Sequence, residues 1–503
     1  MTSRLRWASP LLLLMALAAA LRLAALGAQS FWSDEAITAL LVRRDFGSLL
    51  SGVADTESTP PLYYVAAWLW AKAAGADETG LRLLSAVLGI LAVPAAYGAA
   101  RALVSPRAAW IAGLLVAVNP VLVWYSQEAR AYSLLVVLCG LSFWAFVEVR
   151  GSGSGRALVC WWLASSLAIA THYFALLVVA VMSGWLLVSQ RTGRARLAVA
   201  GVAASVIALA PLALAQRSGG HAEYIADSAL WSRLVNLAKQ VLVGRDAPRD
   251  QAIALMVAAI VLVALIALVR SRDRTYRNGA FVAAVVGVAP IALSLVLVAL
   301  GADYVNTQNS LGVVVPLTVA LAIAFAAVRP LAVRVVTVAA ICVLWLALIG
   351  GVARDAAFQR ADWRDAYAGA VDGDSSAGGR LVVVGPDYEG WFARAPARVY
   401  LPDARSIDPL ERTAKPFRSL VRDDEAQTDS PGPDEVVFLL LGSSVDTHEA
   451  ERLLAPGYRR LGVRKGDGFQ LVRYDVRGSG RIWRAGTPPA SLSGAPAAVL
   501  YVP

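Results

Sequence analysis

A chain of 503 residues in which 58% are hydrophobic and only 16% are charged departs from soluble domains, where charged residues make up about 25%. It reads as a polytopic membrane protein. The net charge of +10 would suit nucleic acid, but the arginines sit in short clusters between apolar runs, which excludes that partner and points to membrane topology. Cys139, Cys160 and Cys342 each lie inside an apolar run, and His172, His221 and His448 are scattered. Neither set has a disulfide or zinc spacing.

A span needs about 20 mostly apolar residues. The first candidate, 9–28, follows Arg4 and Arg6 and ends near small residues, a pattern shared with cleaved signal peptides. Its length and the spans that follow make it a first span. A loop at 29–81 comes next. Ten further runs fall at 82–104, 108–125, 131–149, 157–173, 174–190, 197–216, 251–270, 279–300, 311–328 and 334–352. The expectation is thus a mainly α, polytopic transmembrane helical bundle of about 11 spans, occupying residues 1–352.

Arginine placement orients the bundle. With the N-terminus in the cytoplasm, the loops on its side carry Arg101 and Arg107, Arg150 and Arg156, Arg191 to Arg196, Arg270 to Arg277, and Arg329 with Arg334. The opposite turns at 171–173 and 301–310 carry no lysine or arginine, and that at 125–131 has only Arg130. This places 29–81, 217–250 and the C-terminal region outside the cell membrane.

Within the first outer loop, "DEAITALLVRRDFGSLL" has helical apolar spacing, and "PPLYYVAAWLWAKAAG" opens on prolines suited to a helix start. In the C-terminal region, "RLVVVG" at 380–385, "EVVFLLLGSS" at 435–444 and "GFQLVRYDV" at 468–476 read as strands. The segments 408–417 and 446–457 read as partly helical. Residues 353–477 are therefore expected to form an extracytoplasmic α/β domain. Beyond it, glycine, proline and alanine dominate and predict a loosely ordered tail, 478–503.

This topology collects four polar segments at the outer face. They are Asp34 and Glu35, "TESTPPLYY" at 56–64, "WYSQEARAYS" at 124–133, and "DYVNTQNSLGVVVP" at 303–316. Together they suit transfer of a sugar from a lipid phosphate to a hydroxyl. A carboxylate within hydrogen-bond reach takes the acceptor proton. An arginine or amide donors stabilise the departing phosphate. No Walker or Rossmann sequence is present, and none is needed when the lipid already carries the phosphate.

At these residues the sequence resembles the GT-C glycosyltransferases, and within them the glycosyltransferase family 39 type, which includes protein O-mannosyltransferases and aminoarabinose transferases. The resemblance rests on "FWSDEAITALL", "STPPLYYVAAWLW", "GLRLLSAVLGILAVPAAYGAARAL" and "NPVLVWYSQEARAYSLLVVL". It covers the first 150 residues and extends through the later spans in hydropathy only. "DWRDAYAGAV" at 362–371 also resembles the segment that opens the outer domain of bacterial relatives.

The resemblance implies a polyprenyl-phosphate sugar donor, inversion at the anomeric carbon, and an acidic residue of the first outer loop as base. Carried over, that residue is Asp34, with Glu35 as the alternative, since adjacent helix positions point about 100° apart. Arg130 is the candidate for the lipid phosphate, with Tyr132 and Glu128 nearby and Tyr63 and Tyr64 as possible substrate contacts.

Two departures stand out. Thr59 occupies the place of a usual histidine before the prolines, and Gln308 or Asn309 that of a frequent arginine. An amide does not neutralise phosphate. The charge then falls to Arg130, the donor differs, or catalysis has been lost.

Other readings stay open at this stage. The Asp34–Glu35 pair also fits a helix N-terminus after Ser33, Arg130 fits a topology charge, and Tyr63 and Tyr64 fit an interface belt. Glu57 reads as a solvated loop acid, and His172 as a polar residue satisfied at a turn. Two carboxylates could hold a divalent ion, but no complete ligand set is visible, so no cofactor is expected. The expected partners are membrane lipid, a polyprenyl-phosphate-linked sugar and a hydroxyl on protein, lipid or glycan. A transporter or lipid-carrier flippase would instead place its ionisable groups near the midplane. A non-catalytic assembly protein with a degenerate site is the third possibility.

Overall fold

A computed structural model describes residues 2–219, 223–372, 379–385, 392–406, 433–441, 451–454, 456–476 apart from 457 and 467, Trp483, 491–492 and 495–502. His221, His448, the expected helix at 408–417 and most of that at 446–457 lie outside them.

The N-terminal part is helical. α1 (Thr2–Leu23) is followed by α2 (Ser33–Val42), α3 (Phe46–Thr56) and α4 (Leu62–Ala74). Then come α5 (Glu78–Leu103), α6 (Pro106–Val118), α7 (Pro120–Ser126), α8 (Tyr132–Ser152), α9 (Gly155–Thr171), α10 (Ala175–Ser189) and α11 (Gly193–Ser218). The series continues through α12 (Leu230–Val243), α13 (Asp250–Arg270), α14 (Arg274–Ala299), α15 (Val314–Ala327) and α16 (Leu331–Arg354).

Among the described residues, seven helices are long and apolar enough to cross a membrane: α5, α8, α11, α13, α14, α15 with the 3-10 turn before it, and α16. The α6–α7 pair, bent by 53°, makes an eighth if counted as one span; Pro10–Leu23, α9 and α10 are shorter apolar helices. The eleven apolar runs of the sequence fall on these helices, and fewer than eleven reach spanning length by themselves.

The bend between α6 and α7 shows how a buried arginine can repair a broken helix. Asn119 caps α7 by accepting from Leu122 N at 3.1 Å. Pro120 lacks the N–H that would reach back to Val116 O, so the break frees carbonyl groups. Arg22, fully buried on α1, donates to Val116 O at 2.9 Å, to Ala117 O at 2.7 Å and to Ser126 Oγ at 3.2 Å. In a bilayer interior such groups have no water to bond, so the side chain supplies what the proline removed. A Cβ at Gly89 would overlap the Ser126 hydroxyl, which is why this close approach takes a glycine.

The C-terminal part adds α17 (Trp363–Val371), α18 (Arg394–Tyr400) and eight short strands: β1 (Arg380–Gly385), β2 (Arg405–Ser406), β3 (Glu435–Leu441), β4 (Arg459–Gly466), β5 (Phe469–Asp475), β6 (Ser491–Leu492), β7 (Ala495–Pro496) and β8 (Ala498–Val502). Six form a mixed sheet in the order β2-β8-β1-β3-β5-β4, with β1 parallel to β3. β1 and β3 are buried on both faces, so they read as unbroken apolar runs. Val382, Val384, Val437 and Leu439 pack with α17 and α18 on one side. Leu381, Val383, Val436 and Phe438 pack with Tyr474 and Trp483 on the other, as the two-residue strand period requires. β4 is an exposed edge strand carrying Arg459, Arg460, Arg464 and Lys465, charges that discourage edge pairing.

One expectation is corrected here. The segment read as a loosely ordered tail, 478–503, ends in β8, which pairs with both β1 and β2. The surrounding glycine, proline and alanine masked a five-residue apolar strand.

The chain's own contacts divide it into two compact units. One comprises Met1–Leu26, Glu57–Gly75 and Thr79–Arg354; the other comprises Gly27–Thr56, Ala76–Glu78 and Asp355–Pro503. The expected outer loop 29–81 is therefore shared between them.

Candidate functional site

The first group of candidates lies in the unit containing the sheet. The chain leading into α2 is fixed by hydrogen bonds to the C-terminal region. Ser30 Oγ accepts from Trp363 N at 2.9 Å, and Phe31 N donates to the Tyr400 hydroxyl oxygen at 2.6 Å. Tyr400 in turn donates to Glu78 Oε1 at 2.7 Å. Burial and the Glu78 carboxylate both push the Tyr400 pKa up, so this hydroxyl keeps its proton. Ser33 Oγ donates to Phe392 O at 2.6 Å. Three contacts thus set the position of the first turn of α2.

That turn separates the two adjacent acids. Glu35, fully buried, reaches back to accept from Trp32 N at 3.2 Å, the acidic half of a capping box. Asp34, one residue earlier, is partly exposed. Both carboxylates stand where the helix dipole favours negative charge, but only Asp34 has open surface. Glu35→Gln, which still accepts from Trp32, is therefore expected to fold and act like the parent, whereas Glu35→Ala should lose about 1–2 kcal/mol of stability. Thermal melts of the two variants check this; equal melts would contradict the capping role.

The second group lies in the helical unit. Arg130, between α7 and α8, makes a two-pronged pair with Glu57 at 2.8 Å for each N–O contact. Both side chains are buried, at 9% and 3% exposure, so Glu57 is not the solvated loop acid expected from sequence. The Arg130 guanidinium lies 5.8 Å from the centre of the Tyr64 ring. The Tyr64 hydroxyl is 3.2 Å from Thr59 Oγ1, and Gln216 Nε2 donates to Thr59 O at 3.1 Å. Thr59, the residue in place of a histidine, thus joins the segment before α4 to α11. Tyr63 lies 3.3 Å from Ser85 Oγ. Tyr63 and Tyr64 are fully buried, which removes the interface-belt reading.

Tyr132 packs edge-on against Tyr125 at 4.9 Å and lies 6.3 Å from His172. Glu128 is buried in the same turn as Arg130. It acts electrostatically on Arg245, which lies 5.5 Å from the Trp124 ring. Burial works against the Arg245 charge, but Tyr125 and Glu128 outweigh it and raise its pKa. Arg245 was not singled out from sequence. Its loop, 244–249, carries no pattern beyond one more arginine in a basic chain.

Gln308 and Asn309 occupy a 3-10 turn, Gln308–Val313. Asn309 N donates to Asn306 Oδ1 at 2.7 Å, and Asn309 Nδ2 donates to Tyr304 O at 2.7 Å, so this amide builds the turn. The preceding loop is held by Arg233, which donates to both Asp303 oxygens at 2.7 and 2.6 Å and to Val305 O at 2.9 Å. The Arg233 hydrogen bond holds the Asp303 carboxyl below the usual range. Its stabilisation is therefore present at neutral pH and is lost as pH falls below about 4. Asp303→Asn should melt lower than the parent at pH 7 and converge with it in acid; an equal gap at pH 7 and pH 3 would contradict this.

Among the described residues, no group of three histidine, cysteine, aspartate or glutamate side chains is arranged to hold a metal. The candidates accordingly fall into two groups: Asp34 with Glu35 in one unit, and Arg130, Glu128, Tyr132, Tyr63 and Tyr64 in the other.

Residues 58–214 match the family model described as dolichyl-phosphate-mannose-protein mannosyltransferase. No curated protein matches the chain. Among solved structures, the chain is similar to ArnT from Cupriavidus metallidurans bound to undecaprenyl phosphate, at 16% identity and a TM-score of 0.54, covering 93% of this chain and 98% of that one. The apo structure of the same ArnT gives 15% identity and a TM-score of 0.56, covering 94% and 98%. The chain therefore has a GT-C-type glycosyltransferase fold and is a multi-pass membrane protein.

Proposed function

We propose that the chain transfers a sugar from a polyprenyl-phosphate donor to a hydroxyl acceptor at the outer face of the membrane, with Asp34 as general base. The observation that carries the reading is the division of labour in the first turn of α2. Glu35 is buried on the cap, and Asp34 keeps exposed surface on backbone held by three hydrogen bonds to the C-terminal region. The family match across residues 58–214 and the undecaprenyl phosphate bound to ArnT support the donor class.

In this reaction the acceptor hydroxyl gives its proton to the Asp34 carboxylate as its oxygen attacks the anomeric carbon. The bond from that carbon to the phosphate oxygen breaks, and polyprenyl phosphate leaves with the electron pair. Attack opposite the leaving group inverts the anomeric centre. Positive charge near the leaving oxygen lowers the barrier. Arg130 and Arg245 are the proposed cations. Both terminal nitrogens of Arg130 already meet Glu57, which favours Arg245 for direct phosphate contact and Arg130 as the group that orders the surrounding turn. Tyr132, Glu128, Tyr63 and Tyr64 would shape that turn, and Gln308 would offer an amide donor. The acceptor is a hydroxyl on protein, lipid or cell-envelope glycan.

Mass spectra of envelope glycans and glycoproteins from cells with and without the gene test the reading. A single sugar missing from one class of product is expected. Identical spectra would contradict it.

A further inference from the structure

A second feature of the helical unit involves none of the candidate site residues above. A groove of about 620 Å³ runs among α13, α14, α15 and α16. Its walls include Leu268, Phe281, Val288, Leu321 and Trp345, and Arg277 is the one charged residue among the described residues that line it. Along α14, Arg277 and Val288 are separated by about 16 Å at 1.5 Å per residue. That is about half of a ~30 Å hydrocarbon core, the depth of one leaflet.

The Arg277 end of the groove carries excess positive charge. Arg277 stands in the first turn of α14, next to Tyr276. Arg334, in the first turn of α16, interacts electrostatically with Tyr276, Arg107 and Arg329. Arg107 is in the first turn of α6. Arg270 ends α13, Arg272 lies in the connection, and Arg274 begins α14. The nearby acid, Asp273, accepts from Thr275 N at 2.8 Å and caps α14. Cations at helix N-termini are disfavoured by the dipole, and here three helices begin with arginine in the first turn. An anion placed there would relieve both the dipoles and the mutual repulsion.

We propose that this groove binds an anionic bilayer phospholipid, with one acyl chain against Phe281 and Val288 and the headgroup phosphate at Arg277, in the field of the other arginines at this end. Basic pockets between spanning helices recognise such headgroups. Following the crossings along the chain from α7 to α14 brings Arg277 to the membrane face opposite Arg130. A headgroup at Arg277 is thus at the opposite end of the groove from Asn119, Val241 and Leu242, which precede the proposed donor-phosphate contact Arg245, and its binding does not depend on the transfer reaction.

The test uses the purified full chain and native mass spectrometry, with phosphatidylglycerol and phosphatidylcholine of matched acyl chains and undecaprenyl phosphate as the third probe. The parent should hold phosphatidylglycerol in preference to phosphatidylcholine. Arg277→Gln should weaken that preference about fivefold, the effect of one basic residue near a charged headgroup, and Arg277→Lys should restore most of it. Ala284→Trp, which fills the groove, should lower retention of phosphatidylglycerol. Phosphatidylglycerol preference unchanged in Arg277→Gln would overturn the proposal. So would variants that lose undecaprenyl phosphate in place of phosphatidylglycerol.

Discussion

Asp34→Asn is expected to leave the chain folded and to lower sugar transfer by about 10²–10⁴-fold, the usual contribution of a positioned general base. Asparagine matches aspartate in shape, and in the first turn of α2 the cap belongs to Glu35 and the anchoring bonds to Ser30, Phe31 and Ser33. Removing a proton acceptor that acts at the transition state lowers kcat and kcat/KM together. A transfer assay on parent, Asp34→Asn and Glu35→Gln separates the adjacent acids. Activity within about twofold of the parent in Asp34→Asn would remove the base from the account.

Glu57→Leu is expected to lower the stability of the helical unit by about 3–5 kcal/mol. The cause is not the lost attraction alone. Arg130 would remain buried beside Tyr64 with its two-pronged partner gone, and removing one partner of a buried pair is far costlier than replacing both. Glu57→Leu combined with Arg130→Met should therefore recover most of the stability, which a thermal melt of the three variants would show. The same series reports on function. If Arg130 serves only to order the turn between α7 and α8, the double variant retains measurable transfer. If Arg130 meets the phosphate directly, it folds but is inactive. A single variant as stable as the parent would contradict the buried pairing.

The elements that depend on local pattern were legible in the sequence. Apolar runs marked the helices of the bundle, paired prolines marked the start of α4, and unbroken apolar runs marked β1 and β3. What escaped was set by partners distant in the chain. Glu57 has the composition of a loop acid, and its burial follows from Arg130, 73 positions away. Arg22 is an isolated charge in an apolar run, and its role follows from the Val116 and Ala117 carbonyls at the break before α7, 94 and 95 positions away. β8 was hidden because a five-residue strand at a sheet interior needs its neighbours to reveal it. The Asp34–Glu35 pair was conspicuous from the start. The distinction between the two came only from the helix register, which turns Glu35 back onto Trp32.

The central claim is that this fold cleaves the bond between a sugar and a lipid phosphate and delivers the sugar to a hydroxyl. The most direct measurement reconstitutes the full chain with labelled polyprenyl-phosphate hexose and pentose donors and an envelope acceptor extract. Released polyprenyl phosphate, new glycoside and its anomeric configuration are then followed together. The account expects release to match glycoside formation with inversion, and to vanish in Asp34→Asn. A donor that crosses the bilayer with its sugar still attached, or equal release from the Asp34→Asn chain, would contradict it.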